Sequence, residues 1–155
     1  HRDIKPANIM YVPESSTIKL TDFGIARITD SSKTKTGMVL GTPSYMSPEQ
    51  LAGKHIDGRS DLFSLGVMFY QLLTGHLPFT GDSMAALMFK NANDPHPNIL
   101  VVRVELSEKI PRLKTIMDKI LNKSPEERYQ SGGEFAEDLR KCLKIFKKNN
   151  DEPRR

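Results

Sequence analysis

Four polar residues near the start of the chain have the types and the spacing needed to move a phosphoryl group. Asp3, Lys5 and Asn8 lie within residues 1–8, and Asp22 follows a short, mostly apolar stretch. Phosphoryl transfer from a nucleotide requires a positioned hydroxyl nucleophile, metal ions that bridge the phosphates, and positive charge near the transferring group. We expect Asp3 to orient the hydroxyl and accept its proton, and Lys5 to stabilise the developing charge.

Asn8 and Asp22 offer the oxygen ligands that Mg²⁺ prefers. This hard cation takes few protein ligands because substrate phosphates supply most of the remainder. The residues between them predict two short strands, at residues 9–12 and 18–20, joined by a turn at 13–16. Such a hairpin would fix the distance between the two metal ligands.

Each motif also has a plainer interpretation when it is taken alone. An isolated aspartate such as Asp3 is commonly a solvated turn residue or a helix cap. The Asp-Phe-Gly sequence at residues 22–24 is commonly an ordinary turn. The catalytic interpretation therefore depends on the motifs occurring together.

Together, these motifs resemble a known family. Residues 1–8 read His-Arg-Asp-Ile-Lys-Pro-Ala-Asn, residues 22–24 read Asp-Phe-Gly, and residues 47–49 read Ser-Pro-Glu. In this order they resemble the carboxy-terminal half of a protein kinase catalytic domain. The Lys-Pro pair after Asp3 resembles the serine/threonine class, and residues 41–50 and 125–130 resemble bacterial serine/threonine kinases of the eukaryotic-like type.

The resemblance implies a fold and an activity. The fold would be the mainly helical (α+β) large lobe of a protein kinase over residues 1–147, with a short β-hairpin at the active site and a disordered basic tail at 148–155. The activity would be transfer of the γ-phosphate of ATP to serine or threonine hydroxyls of proteins, with Mg²⁺ as the metal and Mn²⁺ as the alternative. Lys5, Asn8 and Asp22 would contact the nucleotide phosphates or their metal.

The polar loop at residues 25–40 has no regular periodicity and reads on composition as a linker. By resemblance it is the activation segment, and Thr34 and Thr36 occupy the positions of activating phosphothreonines. A phosphate there adds nearly two negative charges that arginines can bind. We expect Arg2 to be the first partner and Arg27 the second, and we expect activation by autophosphorylation, with a kinase homodimer as the assembly.

Three further roles follow from the resemblance. Thr42 is expected to hydrogen-bond to Asp3 and Lys5 and thereby support catalysis. Glu49 is expected to form a buried ion pair with Arg128, which would make Arg128 structural.

A buried helix is predicted at residues 59–74, because its apolar residues occur on nearly every face. Gly75 is a natural stop signal. By resemblance, Asp61 near the start of this helix holds the main chain of the catalytic loop, residues 1–8, and Phe63 replaces a tryptophan that is usual in the family.

Three more helices follow from periodicity and capping signals. One starts near Pro111 and has apolar residues at helical spacing up to Leu121. Another opens with a capping box at residues 131–134 and continues with an apolar face, and a shorter helix spans 83–91. On the helix that opens at residues 131–134, the residues expected to face inward are Phe135, Leu139, Leu143 and Phe146. On the helix at 83–91, they are Met84, Leu87 and Met88.

Composition narrows the function class. The 155 residues are 37% hydrophobic and 27% charged, which is typical of a soluble globular chain. The net charge of +4 is too small to argue for nucleic-acid binding. A single cysteine, Cys142, is consistent with a reducing compartment, and we expect a cytoplasmic kinase domain whose parent protein could be membrane-anchored elsewhere.

The chain begins at His1 and contains no G-x-G-x-x-G motif. We therefore expect a piece of a longer protein from which the nucleotide-clamping amino-terminal lobe is missing. In isolation the chain is expected to be inactive and, because an apolar surface would be uncovered, prone to aggregation. The rival hypothesis is an inactive kinase-like lobe or pseudokinase that binds proteins, although Asp3, Asn8 and Asp22 are all retained.

Overall fold

The computed structural model describes residues 1–22 and 43–151. This part of the chain is mainly helical with one two-stranded antiparallel sheet, which confirms the predicted fold class. In chain order the elements are β1 (Ile9–Val12), β2 (Thr17–Leu20), α1 (Pro48–Leu51), α2 (Gly58–Thr74), α3 (Met84–Asn93), α4 (Ile99–Val102), α5 (Glu105–Lys109), α6 (Arg112–Ile120) and α7 (Gly132–Asp151).

The predicted hairpin is present. Strands β1 and β2 pair in a register that runs from Ile9 opposite Leu20 to Val12 opposite Thr17. A turn of 3-10 helix, Pro13–Ser15, and a left-handed Ser16 with φ of 49° reverse the chain between them. The two ends of the hairpin that carry the candidate metal ligands therefore lie side by side.

Helix α2 forms the centre of the core. The Asp57 carboxylate caps its start by accepting a hydrogen bond from the Arg59 N–H, and Gly75, with φ of 78°, ends it. Phe63 and Val67 are fully buried, as predicted. The expectation that the helix is enclosed on every side was wrong at Leu72, whose surface is 72% exposed because that face borders an open groove.

Helix α6 packs closely on α2. A Cβ atom at Gly66 of α2 would lie 2.8 Å from Cγ1 of Ile120, so this contact requires a residue without a side chain. Ile116, Met117 and Ile120 are buried on the predicted face of α6. These contacts fix α2, and with it the residues at its start, against the carboxy-terminal helices.

Helix α7 differs from its prediction in three details. Ser131 accepts a hydrogen bond from the Glu134 N–H, but the Glu134 carboxylate accepts from Gln130 instead of completing a capping box. Leu143 is 51% exposed, and Cys142 is buried in its place. The helix also continues through Asp151, so residues 148–151, expected in the tail, are helical; residues 152–155 lie outside the described part.

The segment between α2 and α6 contains elements that the sequence did not predict. Helices α4 and α5 are too short to show a helical period, although the Asn98 side chain caps α4 by accepting from the Leu100 N–H. On α3, Leu87 is buried as expected but Met84 is 40% exposed. No helix among the described residues is long and apolar enough to cross a membrane.

Candidate active site

The structure brings Asp3, Lys5 and Asn8 together at one carboxylate. Lys5 Nζ lies 3.0 Å from Asp3 Oδ2, and Asn8 Nδ2 donates to the same oxygen at 3.1 Å. Asn8 Nδ2 also donates to the Asp3 main-chain oxygen at 2.9 Å. The contacts of Lys5 and Asn8 with Oδ2 fix the Asp3 side chain. The other carboxylate oxygen, Asp3 Oδ1, has no hydrogen-bond partner among the described residues.

Local backbone geometry produces this arrangement. Pro6–Asn8 form a turn of 3-10 helix, in which the Asn8 N–H donates to the Lys5 carbonyl at 3.0 Å. A proline suits the first position of such a turn because it has no N–H to leave unsatisfied. The turn folds Asn8 back towards Asp3, and only 5% of the Asn8 surface remains exposed.

Asp61, at the start of α2, holds the residues before Asp3. Its Oδ2 accepts from the main-chain nitrogen of His1 at 2.8 Å and its Oδ1 accepts from the Arg2 N–H at 2.7 Å. Arg2 has φ of 68°, a left-handed conformation that costs a non-glycine residue energy. The contact expected between Asp61 and the loop main chain is thus present, and it stabilises a strained residue beside Asp3.

Main-chain hydrogen bonds place the neighbour of Asp22 beside Asn8. The Thr21 N–H donates to the Asn8 carbonyl at 2.9 Å, and His1 Nε2 lies 2.9 Å from the Thr21 carbonyl. A carbonyl can only accept, so Nε2 is the protonated ring nitrogen. Asp22 itself is exposed and has φ of 53°, a conformation that aspartate tolerates better than most residues.

The donor set suits a hard divalent cation. Because Asn8 Nδ2 faces Asp3, the Oδ1 oxygen is the atom of the amide left for a metal, and Asp22 would add a carboxylate. Among residues 1–22 and 43–151, no group of three or more His, Cys, Asp or Glu side chains could form a complete cage. A site with few protein ligands fits Mg²⁺, which takes many of its ligands from water and substrate phosphates.

An apolar groove of about 490 Å³ adjoins the hairpin and α2. Leu72 and Ile18 on its border are 72% and 67% exposed. Ile4 and Pro6, next to Lys5, form the side of the groove nearest Asp3, and Asp61 is the single acidic residue among the described residues that line it. The lining comprises Ile4, Pro6, Ile9, Ile18, Leu20, Asp61, Leu62, Leu65, Met68 and Leu72.

A second charged pair lies deep in the fold. Arg128 Nη1 and Nη2 donate to the two Glu49 oxygens at 2.7 and 2.8 Å, and both residues are buried. The remaining guanidinium donors reach the main-chain oxygens of Arg59, Asn122 and Lys123. Every one of the five N–H groups of Arg128 therefore has an acceptor, and the pair expected from the sequence is present.

The surroundings of Glu49 determine its protonation. Burial raises the pKa of this carboxyl, but hydrogen bonds from Arg128 and from the Ser60 hydroxyl outweigh burial and lower the pKa to about 2. Glu49 is consequently a carboxylate throughout the neutral range. Its role is to join α1 to the start of α2 and to the segment before α7.

Four predicted site residues lie outside the described part of the chain, namely Arg27, Thr34, Thr36 and Thr42, as do Phe23 and Gly24 of the Asp-Phe-Gly sequence. The phosphate-linked roles of Arg27, Thr34 and Thr36 and the hydrogen bonds expected from Thr42 to Asp3 and Lys5 stay predictions. Arg2 is described and exposed, next to Asp3, and its binding of a phosphorylated threonine also stays a prediction.

Sequence reasoning did not identify Gln50 as part of the site. Gln50 Oε1 accepts from the Ser47 N–H, Ser47 Oγ accepts from the Gln50 N–H, and Gln50 Nε2 donates to the Arg2 carbonyl at 3.2 Å. The signal was available as a capping box, serine followed three residues later by glutamine. The contact with Arg2, 48 residues away in sequence, had no such signal.

Comparison with known proteins agrees with this geometry. The model of the protein kinase domain matches residues 1–141. The chain is 43% identical over 143 residues to the serine/threonine-protein kinase PknB of Mycolicibacterium smegmatis, covering 90% of this chain and 22% of the relative. It is 40% identical to the serine/threonine-protein kinase pkn3 of Myxococcus xanthus, covering 100% of this chain and 30% of that protein.

A solved structure gives the same result. The crystal structure of Rad53 1-466 in complex with AMP-PNP superposes with a TM-score of 0.62 and 28% sequence identity, over 83% of this chain and 30% of that one. The chain thus spans less than a third of the length of these proteins. From the catalytic-loop geometry and these matches, we conclude that the chain belongs to the protein kinase family.

Proposed function

We propose that this chain is the catalytic-loop lobe of a serine/threonine protein kinase, which transfers the γ-phosphate of ATP to serine or threonine hydroxyls of proteins. The observation that carries the proposal is the shared contact of Lys5 and Asn8 with the Asp3 carboxylate. The serine/threonine-protein kinases that it resembles support the class of acceptor.

The residues divide the chemistry among them. Asp3 Oδ1, which lacks a partner in the described part of the chain, accepts the proton of the substrate hydroxyl. Lys5, held at Oδ2, supplies positive charge for the transferring phosphoryl group. Asp61 fixes the main chain before Asp3, so that the carboxylate keeps its position as the hydroxyl arrives.

Asn8 Oδ1 and the Asp22 carboxylate would hold Mg²⁺, which neutralises phosphate charge when it is bound. The similar Rad53 structure is a complex with AMP-PNP, and this supports a nucleotide as the ligand. The sequence has no glycine-rich phosphate loop, and we propose that the remaining phosphates are held by groups of the parent protein outside these 155 residues. We therefore expect negligible turnover by the 155-residue chain alone.

Regulation and location are part of the proposal. Autophosphorylation of Thr34 and Thr36, within a transient kinase homodimer, would order the activation segment against Arg2 and Arg27. The kinase lobe would act in the cytoplasm. Changing both threonines to alanine should reduce transfer by the full gene product; unchanged activity would refute this mode of activation.

The test uses the full gene product that contains this chain, incubated with ATP, Mg²⁺ and peptides that differ only in a central Ser, Thr or Tyr. We expect phosphate on the Ser and Thr peptides and none on the Tyr peptide. The isolated 155-residue chain, assayed in parallel, should give none. Nucleotide binding without transfer by the full gene product would overturn the proposal and favour a protein-binding pseudokinase.

A further inference from the structure

Asn91 is a polar residue that the proposed chemistry does not use. It lies on α3, its surface is fully buried, and its Nδ2 donates to the Met46 carbonyl at 3.0 Å. Its Oδ1 is also buried and has no partner among the described residues. A buried polar atom without a partner costs about 1–3 kcal/mol, so packing alone does not explain an asparagine here.

A partly buried lysine holds the main chain of the same residue. Lys123 Nζ donates to the Asn91 carbonyl at 2.5 Å and lies 3.7 Å from the centre of the Phe79 ring. Burial, assisted by the nearby Arg128, lowers the pKa of Lys123 to about 8, while Asp94 opposes the shift. Asn91 is therefore anchored through its carbonyl while its side chain reaches across to Met46.

The contact at Met46 continues to the catalytic loop. Met46 precedes Ser47, whose N–H and hydroxyl both contact Gln50 Oε1 at 3.0 and 3.2 Å. Gln50 Nε2 then donates to the carbonyl of Arg2, the residue before Asp3. Within the described part of the chain, a continuous series of polar contacts and covalent bonds thus leads from Lys123 to the residue beside the proposed base.

These contacts reach the loop at Arg2 and not at the proposed metal ligands. Among the described residues, no hydrogen bond or ion pair joins residues 43–50 to Asn8 or to the hairpin. Asn8 and Thr21 are instead joined to each other. A change at Asn91 should therefore reach the hydroxyl-bearing substrate and spare the nucleotide.

We propose that Asn91 is a positioning residue for the protein substrate: anchored by Lys123, it fixes the main chain of residues 46–50 and, through Gln50, the Arg2 carbonyl next to Asp3. This inference deepens the proposed kinase function and depends on it. The ligand class concerned is a peptide segment that carries the accepting hydroxyl.

The test is Asn91→Leu in the full gene product, with separate kinetic titrations of peptide and ATP. Leucine is close to asparagine in shape, so the variant removes the Met46 contact together with the unpaired oxygen and should keep the melting temperature. We expect kcat/KM for the peptide to fall about five- to tenfold, the size of one lost hydrogen bond. The KM for ATP should not change.

Asn93→Leu is the matched control. Asn93 is on the same helix and exposed, and its amide contacts the Phe89 carbonyl of its own helix. Its kinetic constants should equal those of the wild type. Equal peptide constants for Asn91→Leu and the wild type, whether or not the melting temperature falls, would overturn the inference.

A second variant covers the case in which Asn91→Leu does not fold. Gln50→Glu keeps an oxygen for the Ser47 N–H but removes the donor to Arg2, and it should show the same separation of peptide and ATP constants. An unchanged peptide kcat/KM in Gln50→Glu would also contradict the inference. The failure of the wild type to phosphorylate any peptide would instead refute the proposed function itself.

Discussion

Two acid–base pairs in this chain are chemically similar but occupy different environments. Lys5 and Asp3 are 3.0 Å apart, with side chains that are 20% and 23% exposed. Arg128 and Glu49 are 2.7 Å apart, with side chains that are 0% and 8% exposed. The first pair retains an unoccupied carboxylate oxygen among the described residues, whereas the second has every guanidinium donor satisfied.

This difference in exposure indicates that Lys5 can change partners during a reaction, whereas Arg128 must keep its partner Glu49. A partly exposed pair can release Lys5 to a phosphoryl group at small cost, because pairs in contact with solvent contribute about 0–1 kcal/mol. A buried pair that loses one member leaves an uncompensated charge. We infer that the Asp3 pair serves the reaction and that the Glu49 pair maintains the architecture around it.

Breaking the buried pair should give the largest effect. Arg128→Met leaves Glu49 as a buried carboxylate without its guanidinium, so the free energy of unfolding should fall by about 3–5 kcal/mol. Urea unfolding of the full gene product, followed by circular dichroism, measures the change. Arg59→Met, which breaks an exposed pair with Asp57, is the control and should have a much smaller effect. Equal losses in the two variants would contradict the distinction.

Breaking the more exposed pair should affect activity and spare stability. Lys5→Met should lower kcat about a hundred- to thousandfold, as expected for the loss of one electrostatic donor to the transition state. The free energy of unfolding should change by less than about 1 kcal/mol. Lys19→Met, an exposed lysine on β2, is the matched control. A Lys5→Met enzyme that is unstable but catalytically normal when folded would reverse the assignment.

The stability contributed by the Glu49–Arg128 pair should depend on pH in the acid range. The folded-state pKa of Glu49 is about 2, below its ordinary value of 4.5. Its stabilisation is therefore complete above pH 4.5 and is lost as the pH falls towards 2. At about 1.4 kcal/mol per pKa unit, the loss is about 3 kcal/mol. The difference in unfolding free energy between wild type and Glu49→Gln should shrink across this window; a constant difference would show that Glu49 does not titrate there.

A substitution in the apolar groove should have the smallest effect on stability. Leu72→Thr, at a side chain that is 72% exposed, should alter stability by less than about 0.5 kcal/mol. It should reduce self-association of the isolated 155-residue chain in sedimentation velocity, because exposed apolar patches promote association. Val101→Thr, at a residue 70% exposed on α4, is the control. An equal reduction by both variants would mean that the groove is not the associating surface.

The sequence predicted the elements whose signals are local. A hydrophobic period or a capping or turn signal was detectable for the hairpin, α2, α6 and α7. The cluster of Asp3, Lys5 and Asn8 was also predictable, because its members lie within six consecutive residues. Contacts distant in sequence, such as Glu49 with Arg128, were predicted through family resemblance, because periodicity carries no information about them.

The remaining features depended on tertiary packing. Leu72 and Leu143 have the helical spacing of core residues, but their exposure depends on which neighbouring elements cover that face. Helices α4 and α5 are too short for a periodic signal, and their ends are set by packing and by the Asn98 cap. The role of Asn91 was not predicted from the sequence. Its hydrogen bond goes to the Met46 carbonyl, 45 residues earlier, and no residue pattern within α3 indicates that contact.

We infer that Asp3 is the proton acceptor of a phosphoryl-transfer site. The most direct measurement is the intact mass of the full gene product after incubation with ATP and Mg²⁺, compared among wild type, Asp3→Asn and the exposed control Asp82→Asn. We expect wild type and Asp82→Asn to gain phosphate, and Asp3→Asn to gain it about a hundredfold or more slowly. Phosphate gain by Asp3→Asn at the wild-type rate would contradict this inference.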